Sequence, residues 1–124
     1  MSQLQYTRHK KAMDSIEKNV KILLASIMKS EAYQEYKKQE EKLKQDPGLL
    51  EKVDRFRISN FRVQNQSDPE HMFEEMNRLE QESEELRKIP QVNAYLDAEL
   101  AVCRLMQKIF MDLSNGIQMH IPDL

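Results

Sequence analysis

The sequence predicts an all-α fold, an antiparallel bundle of four to five helices whose first and last members are long. Three observations carry that expectation. In the last third, Val92, Leu96, Glu99, Cys103, Met106, Phe110, Leu113 and Ile117 alternate spacings of 4 and 3, the period of a helix packed on other helices. The 124 residues include only two glycines and no tryptophan, and helix-favouring Glu, Lys, Leu, Gln and Met are abundant. Aromatic residues make up 6%, too few for the aromatic-rich strands of a sheet. The chain is long enough for one domain with one modest core, residues 1–124, with 1–7 and 118–124 expected to be flexible.

The first helix is expected from about Arg8 to Lys29, with Ile16, Val20, Leu23, Leu24, Ile27 and Met28 on its inner side. Ser30 before Glu31 is an N-cap signal, because the hydroxyl accepts a bond from an orphan backbone N–H. The second helix so opened, or a continuation of the first, turns Tyr33, Tyr36 and Leu43 inward. Asp46-Pro47 starts the third, since proline at the first helical position loses nothing by lacking an N–H. Its face is Leu49, Leu50, Val53, Phe56, Asn60 and Val63, and Asn65 to Asp68 reads as a polar loop. Asp68-Pro69 repeats the signal for a fourth helix with Met72, Met76, Leu79, Ser83 and Leu86 on one side. Pro90 ends it, because the residue before a proline leaves the α region. The fifth runs from about Gln91 to Leu113 or slightly beyond, where Asn115-Gly116 offers a C-cap although Ile117 still fits the seam. Tyr95, Val102 and Ile109 widen that seam. The tail Met119 to Leu124 reads as disordered or as a docking strand.

Charge is segregated although its net value is −2. Residues 1–67 carry 14 Lys/Arg against 9 Asp/Glu, and residues 68–124 carry 5 against 12. Either the two halves attract when the bundle closes, or the surface orients partners. The apolar run Ile22 to Met28, broken by Ser26, is too short to span a bilayer, and no leader with an apolar core is visible. The single cysteine fits a reducing compartment, so a cytoplasmic protein is expected.

Candidate chemistry is sparse. His9, His71, His120 and Cys103 are scattered and lack ligand spacing. His71 shares a helix side with Glu74 and Glu75, on an acidic and solvated face, so no metal site is expected. Cys103, Met72, Met76 and Met106 sit at core spacing and read as core filling. No nucleophile–base grouping or phosphate-cradling glycine loop is visible, so no enzyme and no catalytic residue is expected. Glu99 stands out as a carboxylate on an apolar seam, where it must be paired, hydrogen-bonded or protonated. Arg57, Asn60 and Gln64, spaced 3 and 4, share one face that can supply the partner. The alternative is that the seam is partly uncovered and Glu99 faces water.

Phe56-Arg57 with Phe61 and Gln64 after Asp46-Pro47, and the run Val92-Asn93-Ala94-Tyr95-Leu96-Asp97-Ala98-Glu99, resemble the YlbF/YmcA family of small bacterial proteins. Leu24-Ala25 through Ser30-Glu31-Ala32-Tyr33-Gln34-Glu35-Tyr36 is similar to the opening of that family, and the resemblance covers roughly residues 15 to 115. The resemblance implies a helical, dimer-forming cytoplasmic protein without activity of its own. It further implies regulation of ribonuclease Y together with sibling proteins, and through RNA processing an influence on competence, sporulation and biofilm formation. Some relatives hold an iron–sulfur cluster through cysteines that include positions near the C-terminus. Here Cys103 is alone and no cysteine follows Ile117, so no cofactor is carried over.

The expected function is therefore a non-enzymatic regulatory adaptor, a homodimer that presents Arg57, Asn60, Gln64, Tyr95 and Glu99 to another protein. Two other classes stand beside it. One is direct RNA binding through the basic first half, with Lys10, Lys11, Lys18 and Lys21 on phosphates. The other is small-ligand sensing in a pocket around Glu99.

Overall fold

The computed structural model describes residues 3–66 and 68–117, and among these described residues there are five helices. They are α1 (Gln3–Lys29), α2 (Glu31–Lys44), α3 (Pro47–Gln66), α4 (Pro69–Arg87) and α5 (Pro90–Ile117). The fold is all-α, with the first and last helices longest, at 27 and 28 residues.

The polar punctuation works as its chemistry dictates. Ser30 is extended at φ −65° and ψ 151°, and its Oγ accepts the Tyr33 N–H at 3.2 Å, which separates α1 from α2. Asp46 accepts the Gly48 N–H at 3.2 Å ahead of α3, and Asp68 accepts the Glu70 N–H at 3.2 Å ahead of α4. Four boundaries differ from expectation. α1 already begins at Gln3, so residues 3–7 are helical. α3 runs through Gln66, where a loop from Asn65 was expected. The Asn65 amide folds back to donate to the Phe61 carbonyl at 2.8 Å, a bond that needs no departure from the helix. Pro90 is the first residue of α5, so the same proline that closes one helix opens the next. α5 also passes through Asn115 and Gly116 to Ile117, since one glycine costs only about 1 kcal/mol in a long helix. Residues 1–2 and the tail Met119 to Leu124 lie outside the described residues.

Packing centres on α2 against α5 and α3 against α4, with α2 also touching α3 and α1, and α4 touching α5. The α2–α5 pair is antiparallel, as Tyr36 meets Tyr95 while Gln39 meets Gln91. Leu43 from α2, Val53 from α3, and Val92 and Tyr95 from α5 form the core cluster, with Tyr36, Leu49, Leu50, Leu86, Ile89 and Leu96 packed around it. Leu43, Val53 and Val92 are essentially fully covered, each worth about 1.5–3 kcal/mol of apolar burial. Val63 on α3 and Leu79 on α4 are buried as well, outside that cluster.

Two core expectations fail. On α1 the side described as inward is bare: Ile16, Val20, Leu23, Leu24 and Met28 are exposed and only Ile27 is half-buried. Among the described residues no helix faces it, since the packing of α1 falls on α2, its neighbour in sequence. On α5 the covered residues are Val92, Tyr95 and Ala98, followed by half-buried Val102, Leu105 and Ile109. The heptad seam lies beside them, so Cys103, Met106, Phe110, Leu113 and Ile117 are exposed. Met76 is exposed too, and Met72 is half-buried, so the methionines do not fill the core of the single chain.

Candidate functional site

The helix-packing geometry brings Arg57, Tyr95 and Glu99 together. Val53 docks α3 on the α2–α5 pair, and one turn later Arg57 reaches across to α5. There its guanidinium pairs with the Glu99 carboxylate and lies 5.4 Å from the centre of the Tyr95 ring. The ion pair is half open to solvent, with side-chain exposures of 41% and 32%. Burial works against the charged guanidinium, but the Glu99 carboxylate and the Tyr95 phenol outweigh it and hold the arginine above its ordinary range. Glu99 is thus a paired carboxylate on a half-covered seam.

The network continues into α2. The Tyr95 and Tyr36 hydroxyls lie 3.4 Å apart, their rings 5.7 Å between centroids, and the Tyr36 hydroxyl donates to Glu40 Oε2 at 3.0 Å. The bond to Tyr95, then burial, then Glu40 push the Tyr36 phenol above its usual range. Glu40 in turn is held below the usual carboxylate range by a 2.8 Å bond from Lys37, against the opposing effect of desolvation. A parallel amide link joins the same helices: Gln91 donates to Gln39 Oε1 at 3.1 Å, and Gln39 donates to Glu35 Oε1 at 2.8 Å. These polar residues lock the α2–α5 register, because shifting either helix leaves half-buried groups unpaired. The sequence reading did not single out Gln39 or Tyr36–Tyr95. Gln39 sits three residues after Tyr36 and four before Leu43, a spacing that places it on the inward face.

Asn60 and Gln64 belong to a different feature. They stand one and two turns beyond Arg57 and line an open cleft of about 530 Å³ between α3 and α4. Phe56, Val63, Met72, Met76 and Leu79 give it an apolar floor, while Asn60, Gln64, Glu80, Ser83 and Glu84 give it a polar rim. The five residues of the expected docking face therefore divide into an ion-paired cluster (Arg57, Tyr95, Glu99) and a cleft wall (Asn60, Gln64).

At the start of α4, ligand atoms of Asp68, Glu70 and His71 lie within 4.8 Å of one another, all exposed. Asp68 is engaged as the helix cap and lies 3.5 Å from His71 Nδ1. Glu74 and Glu75, weighed with His71 from sequence, are not part of that grouping. No described helix is long and apolar enough to cross a membrane. The model of the family described as control of competence regulator ComK, YlbF/YmcA, matches residues 16–118 of this chain. No curated protein and no solved structure matches.

Proposed function

The chain belongs to the YlbF/YmcA family, and on that premise we propose that it is a non-enzymatic regulatory adaptor that acts as a homodimer in the cytoplasm. Its partners in this reading are ribonuclease Y and family siblings, and its effect on competence, sporulation or biofilm formation runs through RNA processing. The observation that carries the reading is the α3–α4 cleft beside the Arg57–Tyr95–Glu99 cluster. An apolar floor with a polar rim suits an amphipathic helix, whose apolar face enters the cleft while its polar edge meets Asn60 and Gln64. The neighbouring Arg57 and Tyr95 supply the residue types that concentrate binding energy at interfaces.

The test is affinity capture of the tagged protein from its native cytosol after gentle cross-linking, identified by mass spectrometry. Ribonuclease Y or sibling helical proteins come with the wild type and are depleted in an Asn60→Ala/Gln64→Ala variant of unchanged helicity. Recovery of the protein alone overturns the reading and favours ligand sensing, which a metabolite-dependent rise in melting temperature then reports. A second reading is favoured by one observation: Lys10, Lys11, Lys18 and Lys21 are all exposed on α1. Phosphate contact by these residues predicts RNA affinity that falls steeply with salt; the absence of any RNA shift at low salt excludes it.

A further inference from the structure

Two helical faces carry core-type patterning without cover. On α1, Met13, Ile16, Val20, Leu23 and Ile27 recur at intervals of 3, 4, 3 and 4; the first four are exposed, as is every side chain from Thr7 to Ser26, and Ile27 is half-buried. On α5, Cys103, Met106, Phe110, Leu113 and Ile117 recur at the same intervals in the same order, and all five are exposed. Each face spans fifteen positions, about 21 Å at 1.5 Å per residue. Two helices that run parallel with these faces together match every apolar residue to an apolar residue, in one heptad phase.

One chain cannot make that match with itself. Tyr36 opposite Tyr95 and Gln39 opposite Gln91 show that residue numbers rise along α2 as they fall along α5. The α2 end of α1 therefore lies near the segment just beyond Ala98, and Met13, on a straight helix, is about 25 Å further out. Cys103 stays near that junction, so Met13 and Cys103 of one molecule are far apart. Charge also selects the pairing. α1 carries six Lys/Arg against two Asp/Glu, and α5 carries two against three. Packing α1 on the α1 of another molecule sets two basic helices together, whereas α1 on a second α5 does not. The area is sufficient as well. Eight of the exposed large hydrophobic side chains lie on these two faces. Left about half bare, they amount to on the order of 600 Å² per copy, so that two copies together reach the ~1,200 Å² at which specific stable interfaces begin.

We propose that the two copies of the homodimer meet by reciprocal exchange of these faces: α1 of each copy lies parallel to the C-terminal half of α5 of the other. Met13 then faces Cys103 of the second copy, Val20 faces Phe110 of the second copy, and Ile27 faces Ile117 of the second copy. The contact is isologous and closes at two chains, since each copy offers one face of each kind. It rests on the homodimer part of the function proposed above and leaves the Arg57–Gln64 side free for a different protein.

Oxidative cross-linking of a Met13→Cys variant tests the placement, because Cys103 is the only native thiol. A 1:1 mixture of ¹⁴N- and ¹⁵N-labelled chains gives a covalent dimer on non-reducing gels, with mixed-isotope peptides joining residues 13 and 103. The same variant with Cys103→Ser gives none. A 13–103 link within one chain, a 13–13 link between chains, or no 13–103 link overturns the proposal. Sedimentation supplies a second arm. Val20→Glu, and separately Phe110→Glu, raise the dimer dissociation constant at least tenfold while helicity stays unchanged, since neither side chain touches the core cluster. A dimer unaffected by both overturns the α1–α5 placement, and a wild-type protein that is monomeric at tens of micromolar overturns the dimer itself. Capture of ribonuclease Y by the Val20→Glu monomer distinguishes either failure from a failure of the adaptor reading.

Discussion

The body of the molecule and its two uncovered helix faces are written in the same pattern and end in opposite environments. Around Leu43, Val53, Val92 and Tyr95 the apolar positions are covered by neighbouring helices. Along α1 and the C-terminal half of α5, side chains of the same kind stand in solvent, Val20 at 48% exposure and Phe110 at 70%. Heptad spacing therefore reports that a face is made for packing and does not report which helix will cover it. That depends on whether the chain itself can deliver a partner. α2 reaches the first half of α5 because the α3–α4 hairpin folds the chain back on itself, and among the described residues nothing comparable folds over α1.

The contrast breaks most sharply on truncation. Leu43→Ala should cost about 3 kcal/mol through lost burial and a residual cavity, seen as a lower urea midpoint at every protein concentration. Phe110→Ala should cost no more than about 0.5 kcal/mol at dilutions where the chain is monomeric. Equal losses for the two would erase the distinction between body and exposed face. A smaller effect tests the link at the edge of the body. A double-mutant cycle on Arg57→Ala and Glu99→Gln should give a coupling of about 0.5 kcal/mol, because solvent screens a half-open pair. Strict additivity would mean that the pair positions α3 on α5 without stabilising it.

The smallest effect is a pH dependence confined to the body. The folded state raises the Tyr36 pKa, so the folded chain holds that proton more tightly than the unfolded one. The resulting stabilisation is complete below about pH 10, the ordinary tyrosine value, and is lost as pH rises from there toward the folded value. Tyr36→Phe should flatten the fall in melting temperature above pH 10 relative to wild type, and coincident alkaline slopes would show that the Tyr36–Tyr95 contact does not discriminate between protonation states. Glu40 acts in the opposite direction, since its lowered pKa gives stabilisation that is present above the ordinary carboxylate range and lost as pH falls through it.

What the sequence determined by itself is local. Helix-favouring composition, the Ser30 and Asp68 caps, and prolines 47, 69 and 90 set four to five helices, because those signals act within a few residues of backbone, and the structure has five among the described residues. Family membership was legible too, from the Phe56-Arg57 and Val92–Glu99 stretches, as was the need of Glu99 for a partner, offered by either Arg57 or Asn60 on one face of α3; the structure selects Arg57. Only the tertiary structure decided which faces are covered, that Tyr95 and not Cys103 is buried, that Asn60 and Gln64 open onto a cleft against α4, and that Gln39 bridges to Gln91. Each of these depends on the rotation of one helix against another. Apolar residues that occupy more than one stripe of a helix, as they do on α5, permit several rotations, and the choice among them is made by side chains distant in sequence.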